Sequence, residues 1–194
     1  MKKLAVLLLP LVAASTLYST ASQAAAIDYQ LDAAHTSIVV SWDHFGFSHP
    51  TADIPGATGT INFDPQHPTT SSVKVSIPVR NIDTHVPALT KEFLASDYFD
   101  TAKYSTATFT STKVIVRGEH QYDVQGNLTL KGITKPLTLH ATLNKIGEHA
   151  MVKKQAVGFD ATATLQRSVF GIDKYIPAVS DDITLRISTE AYAK

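Results

Sequence analysis

After residue 27 apolar and polar residues alternate along much of the chain, and a period of two commits those segments to β-strands with one buried face. Val73, Val75, Ile77 and Val79 point one way while Lys74, Ser76, Pro78 and Arg80 point the other. Ile183, Leu185 and Ile187 repeat the pattern against Thr184, Arg186 and Ser188. Pro78 cannot donate to a ladder, which predicts an edge or a bulge there. The threonine-rich run from Thr106 to Val116 slips in phase between Phe109 and Val114, as a bulge would require. Gly118, the Gln125 to Asn127 stretch, Gly132, Gly147 and Gly158 predict turns between strands in the second half. No helical crossovers separate these runs, so the sheet is expected to be antiparallel. One segment breaks the rule: after Pro87, residues 88–96 lack alternation and carry Leu89, Phe93 and Leu94 at helical spacing, which predicts a short helix. Many antiparallel strands plus one helix fit a barrel or a sandwich, and the pattern alone does not choose.

The first residues follow a different logic. Lys2 and Lys3, an apolar run from Leu4 to Ala14 and small residues up to Ala26 form the three-part pattern of a secretory leader, expected to be cut after Ala26. The apolar run is shorter than the ~20 residues a membrane-spanning helix needs, and no later segment approaches that length. The 17 basic and 17 acidic residues balance in the whole chain; removal of residues 1–26 takes two lysines and leaves a net charge of −2. No clustered basic run suits nucleic acid. With no cysteine, thiol chemistry, disulfides and lipid attachment to an N-terminal cysteine are excluded. Residues 27–194 suffice for one domain with a sizeable core.

Several blocks then stand in a recognisable order: YQLDAAHTSIVVSWDHFGFS (29–48), GTINFDP (59–65), FLASDYFDTAKYSTATFTST (93–112), VQGNLTLKGITKPLTL (124–139), LQRSVFGI (165–172) and a closing strand near Ile183. In content and spacing they resemble the YceI-like proteins, exported bacterial proteins whose lipocalin-like barrel holds a polyisoprenoid or similar amphiphile. The resemblance covers nearly everything after residue 26. One run departs: many family members carry Arg-Asp-x-His-Leu where this chain has Leu89, Thr90, Lys91, Glu92 and Phe93. The resemblance implies an all-β, antiparallel eight-stranded lipocalin-like barrel with a short helix. It also implies a periplasmic, non-enzymatic role, without a cofactor, in binding, sequestering or transporting a polyisoprenoid or quinone-like lipid. Membrane contact would be transient, and the oligomeric state is left open between monomer and homodimer. Two rival readings stand beside it: a solid-core exported interaction or stress protein, and an enzyme with His35 or His44 as general base.

Arg167 is the first candidate contact, because it continues the phase of Phe159, Ala161, Ala163 and Leu165 and so faces inward if the strand stays regular. A buried guanidinium keeps its proton and must find an anion, an acceptor or an aromatic face. It could meet a ligand head group, or close one end of the barrel over Trp42, which is in phase with Ile38 and Val40. Phe45, Phe47, Phe63, Phe93, Tyr98, Phe99, Tyr104, Phe109, Phe159 and Phe170 either line an apolar pocket or fill a core. The small Ala161 and Ala163 on an inward face favour a pocket. Tyr98, Phe99 and Tyr104 lie at the exit of the predicted helix, suited to fixing it across a barrel mouth or to forming a rim. His44 joins the candidates beside Trp42, but no HExxH, cysteine pair or GxSxG elbow supports a metal or a catalytic triad.

Overall fold

The computed structural model describes residues 26–194, so the predicted leader lies, but for Ala26, outside the described residues. Ten strands are present: β1 (Ile27–Leu31), β2 (Ser37–Ser41), β3 (Thr51–Asp53), β4 (Thr58–Phe63), β5 (Ser72–Ile77), β6 (Ala107–Gly118), β7 (Gln121–Leu130), β8 (Ile133–Glu148), β9 (Gln155–Gln166) and β10 (Asp182–Ala193). All pairings are antiparallel. They form eight staves, because one edge of β10 is shared by β1, through Tyr29 opposite Ala193, and by β2, through Ile38 opposite Ile187. β4 and β3 continue the next stave against β1 and β2 in the same way. The β1–β10 pairing closes the barrel.

The break between β1 and β2 has a local cause. Asp32 accepts the backbone N–H of Ala34 and lies 2.7 Å from the Nδ1 of His35, a side-chain-to-backbone turn that competes with the ladder. The chain then rejoins β10 through Glu190, whose N–H donates to the His35 carbonyl.

The predicted helix is α1 (Pro87–Leu94), started by a proline whose ring presets helical φ. Its Leu89, Phe93 and Leu94 pack on Ile38, Trp42, Ile54 and Ile82, so α1 caps one end of the barrel. The expected bulge lies between Ser111 and Lys113 of β6. Pro78 stands just past the end of β5 and leads into a short 3-10 turn. Three expected turns are corrected: Gln125–Asn127, Gly147 and Gly158 lie within β7, β8 and β9. At Gly126 the reason is packing, since a Cβ there would come within 2.5 Å of the Phe109 ring and of the Thr110 carbonyl. Glycine in a strand here marks close approach of a neighbour.

Candidate functional site

Inward-facing positions decide whether an eight-stranded barrel is filled or hollow, and here they leave space. A cavity of about 450 Å³ lies beneath α1, and a second of about 120 Å³ lies deeper. Ile38, Ile77, Leu128 and Leu185 line both, so the two adjoin across these side chains. The inward residues of β5 and β10 read from the alternation, Val73, Val75, Ile77, Ile183, Leu185 and Ile187, all line one or the other. Ala161 borders the deeper cavity, and its small side chain leaves room there.

Of the aromatic candidates, Trp42, Phe93, Tyr98 and Phe99 line the upper cavity, and Phe63, Phe109 and Phe159 the lower. Phe93 is the hub of the upper group: its ring lies 5.4 Å from Trp42, stacks on Tyr98 at 4.9 Å and reaches Phe99 at 6.2 Å. Below, Phe63 meets Phe159 and Tyr122 edge to face. Phe170 is buried in the main core and lines neither cavity. Tyr104 lies over Gly132, where its ring would block any Cβ. Phe45 and Phe47 are exposed, on the turn that joins β2 to β3. His44 lines the cavity entrance, whereas His35 sits outside against Asp32, which raises its pKa.

Arg167 is buried, 7% exposed, and lines the upper cavity. Its Nε donates to the Ser180 carbonyl at 2.9 Å, and its two terminal nitrogens donate to Ile172 and Val179 carbonyls at 3.0 Å. Of the two readings of Arg167, closure over Trp42 is not what the structure has: the guanidinium makes these three carbonyl contacts, and Trp42 packs on Phe93. A guanidinium has five N–H groups, so one on each terminal nitrogen remains beyond these contacts. Burial pushes the Arg167 pKa down, opposed by Tyr98, Asp181 and Asp173, and the group stays charged. Asp181 is occupied nearby, accepting from the Ser168 N–H and hydroxyl. Arg167 is thus the one buried charge lining the cavity among the described residues.

Sequence reasoning missed three participants at the entrance. Lys174 lies 3.1 Å from Glu92 of α1 and 3.6 Å from Asp97, and over the rings of Tyr98 and Tyr175. Glu92 and Tyr175 line the cavity together with His44 and Val86, and the exposure of His44, Val86 and Tyr175 marks this side as its entrance. No signal within either segment links residues 82 positions apart. Among the described residues, no group of three or more His, Cys, Asp or Glu side chains comes together to hold a metal, and no helix is long and apolar enough to cross a membrane.

Comparison with known proteins agrees with this architecture. The chain is 36% identical over 185 residues to Protein YceI of Escherichia coli O157:H7, covering 94% of this chain and 95% of that protein. The crystal structure of Burkholderia cenocepacia BcnA superposes with a TM-score of 0.76 at 22% identity, covering 83% of this chain and 99% of that one. A polyisoprenoid binding domain from Saccharophagus degradans, implicated in plant cell wall breakdown, shares the fold with a TM-score of 0.69 at 14% identity, over 87% and 99% of the two chains. The model of the YceI-like domain matches residues 29–191, and the chain belongs to the YceI-like family.

Proposed function

We propose that the protein binds and carries an isoprenoid lipid or a similar long apolar amphiphile, without catalysing a reaction on it, in the periplasm to which its leader-like first residues would direct it. The observation that carries this reading is the hollow, apolar interior with one buried cation at its upper end. A solid core, which the interaction-protein reading requires, would leave no such space. The related fold of a polyisoprenoid binding domain supports the ligand class.

Size refines the ligand. The upper cavity, about 450 Å³, lies within the roughly 300–1,000 Å³ usual for small-molecule sites, and the lower adds about 120 Å³. A short isoprenoid tail suits this space, and a longer one leaves its remainder at the entrance.

Energetics refine the mechanism. At about 0.8 kcal/mol per buried CH₂, taking a tail of tens of carbons out of water would exceed any known affinity. The competitor is therefore the bilayer, in which the tail is already buried. The protein works by exchange, and contacts to the head group set specificity.

The test is mass spectrometry of organic extracts from the mature protein, purified without detergent, against a denatured-protein blank. A near-stoichiometric apolar molecule is expected. An empty extract, with no stabilisation by added quinones or polyprenyl lipids, overturns the reading.

A further inference from the structure

Building on the carrier reading, we propose that the aromatic tip of the β2–β3 hairpin is a membrane-docking element that seats the cavity entrance on a lipid bilayer. The tip is a tight turn: the His44 N–H donates to the Ser48 carbonyl at 2.9 Å and the Phe47 N–H to the His44 carbonyl at 3.0 Å. Its two central residues, Phe45 and Gly46, have φ of 58° and 74°, the backbone of a hairpin turn that favours Asn-Gly. A phenylalanine in that conformation is strained. The chain keeps it where it stabilises little in water, with Phe45 53% and Phe47 91% exposed.

The tip is not loosely held. Phe45 N–H donates to the Ala178 carbonyl, Ser180 N–H to the Asp43 carbonyl, and Asp43 N–H to the Ser180 hydroxyl. Two aromatic rings are thus presented on a braced support. They are continuous with the entrance, because His44, edge-on to Phe45 at 4.8 Å, lines it, as do Val86 and Tyr175, themselves 52% and 55% exposed.

Two arguments select a bilayer as the occupant. Aromatics bury about 150–250 Å² each when fully covered, so this partly exposed set offers well under the ~800 Å² per partner of a stable dimer. An interface of lipid headgroup and acyl chain, by contrast, accepts a few inserted rings. Charge then selects the kind of bilayer. The hairpin, α1, the loops on either side of α1 and the β9–β10 loop carry Asp43, Asp53, Asp83, Glu92, Asp97, Asp100, Asp173 and Asp181 against Arg80, Lys91, Lys103, Lys174 and the buried Arg167, an acidic excess, with His44, His49 and His85 adding charge only when protonated. Docking is therefore apolar, favours zwitterionic headgroups and depends little on salt.

Co-flotation of the mature protein with phosphatidylcholine vesicles tests this, with uptake of a dispersed polyprenyl lipid measured in parallel. Phe47→Ser is expected to lower the floated fraction's partition coefficient by about tenfold or more, since it forfeits burial of one aromatic ring. Phe45→Asn is expected to weaken flotation while leaving the melting temperature unchanged or higher, because asparagine tolerates positive φ. Uptake of dispersed lipid is expected to persist in both variants. Flotation unaltered by Phe47→Ser overturns the proposal. So does a wild-type protein that fails to float and runs as a dimer that Phe47→Ser dissociates. Uptake without flotation removes the docking element and leaves the carrier reading standing, whereas flotation through Phe47 without uptake does the reverse.

Discussion

The ammonium of Lys174 lies 3.1 Å from the carboxylate of Glu92, joining the β9–β10 loop to α1 across the entrance of the cavity. The hydrogen bond to Glu92 raises the Lys174 pKa, so this tie persists throughout the physiological range. Both side chains are about one-third exposed, and such pairs add little to global stability. The tie therefore acts on opening more than on folding. Lys174→Met is expected to speed lipid entry and release several-fold with little change in melting temperature, read by stopped-flow quenching of Trp42. Unchanged exchange rates would show that the entrance opens elsewhere.

Arg167 serves two ends at once. Its three carbonyl contacts tie β9 to the loop that follows it, and charge-assisted bonds of this kind contribute about 1.5–3 kcal/mol each before losses overlap. Arg167→Met is expected to destabilise the fold by about 2–4 kcal/mol, measured by urea denaturation. If the remaining N–H groups hold an anionic head, the folded variant loses affinity for a polyprenyl phosphate far more than for a neutral quinone. Equal losses would assign Arg167 to the scaffold alone.

These two residues show what the sequence makes legible. The inward phase of Arg167 follows from Phe159, Ala161, Ala163 and Leu165, because strand geometry fixes side-chain direction at a period of two. Its partners do not follow, since carbonyls of a loop 12 or 13 residues away carry no side-chain signature. The same period read for Val73, Val75, Ile77, Ile183, Leu185 and Ile187 finds cavity walls. The prominent aromatics misdirect in part: Phe45 and Phe47 sit on a turn, where alternation no longer reports direction. Gly126 resembled a turn residue because sequence does not show the Phe109 ring lying over it. The Lys174–Glu92 tie depends on tertiary placement throughout.

Acid should loosen the outer face of the barrel. Asp123 on β7 lies 2.7 Å from the Nδ1 of His140 and 2.6 Å from the Nε of Arg117, and these bonds hold its carboxyl below the ordinary carboxylate value. A folded-state pKa below the unfolded one means that the contribution is complete above the unfolded value, near 4, and is lost as pH falls through the folded value. Asp123→Asn is therefore expected to lower stability at neutral pH and to flatten its decline below about pH 4. Urea midpoints across pH 2–7 check this; parallel curves for both proteins would remove Asp123 from the acid response.

Tyr29 is 0% exposed, and its hydroxyl has no hydrogen-bond partner among the described residues. Burial pushes its pKa up. Leaving a hydroxyl unpaired in an apolar setting costs about 1–3 kcal/mol, while the ring packs in the main core. Tyr29→Phe keeps the ring and removes the cost, so it is expected to stabilise the protein by roughly 1 kcal/mol. A lower denaturation midpoint would mean that the hydroxyl is paired in solution.

The lower cavity sets how much tail can be enclosed. Ala161 borders a space of about 120 Å³, beyond the side chains of Ile38, Ile77, Leu128 and Leu185 that it shares with the upper cavity. Ala161→Leu adds three carbons to that space without overfilling it, so the fold is expected to hold. A tail that passes between these side chains into the lower space must then leave about three carbons outside. At about 0.8 kcal/mol per CH₂ those are worth ~2.4 kcal/mol, or roughly 50-fold in affinity measured from water. Tails short enough to end in the upper cavity are unaffected. Competition between saturated amphiphiles of graded chain length therefore separates the variant from the wild type by a shift in preferred length of about three carbons. A uniform loss at every length would place the tail elsewhere and leave the lower cavity as a packing defect.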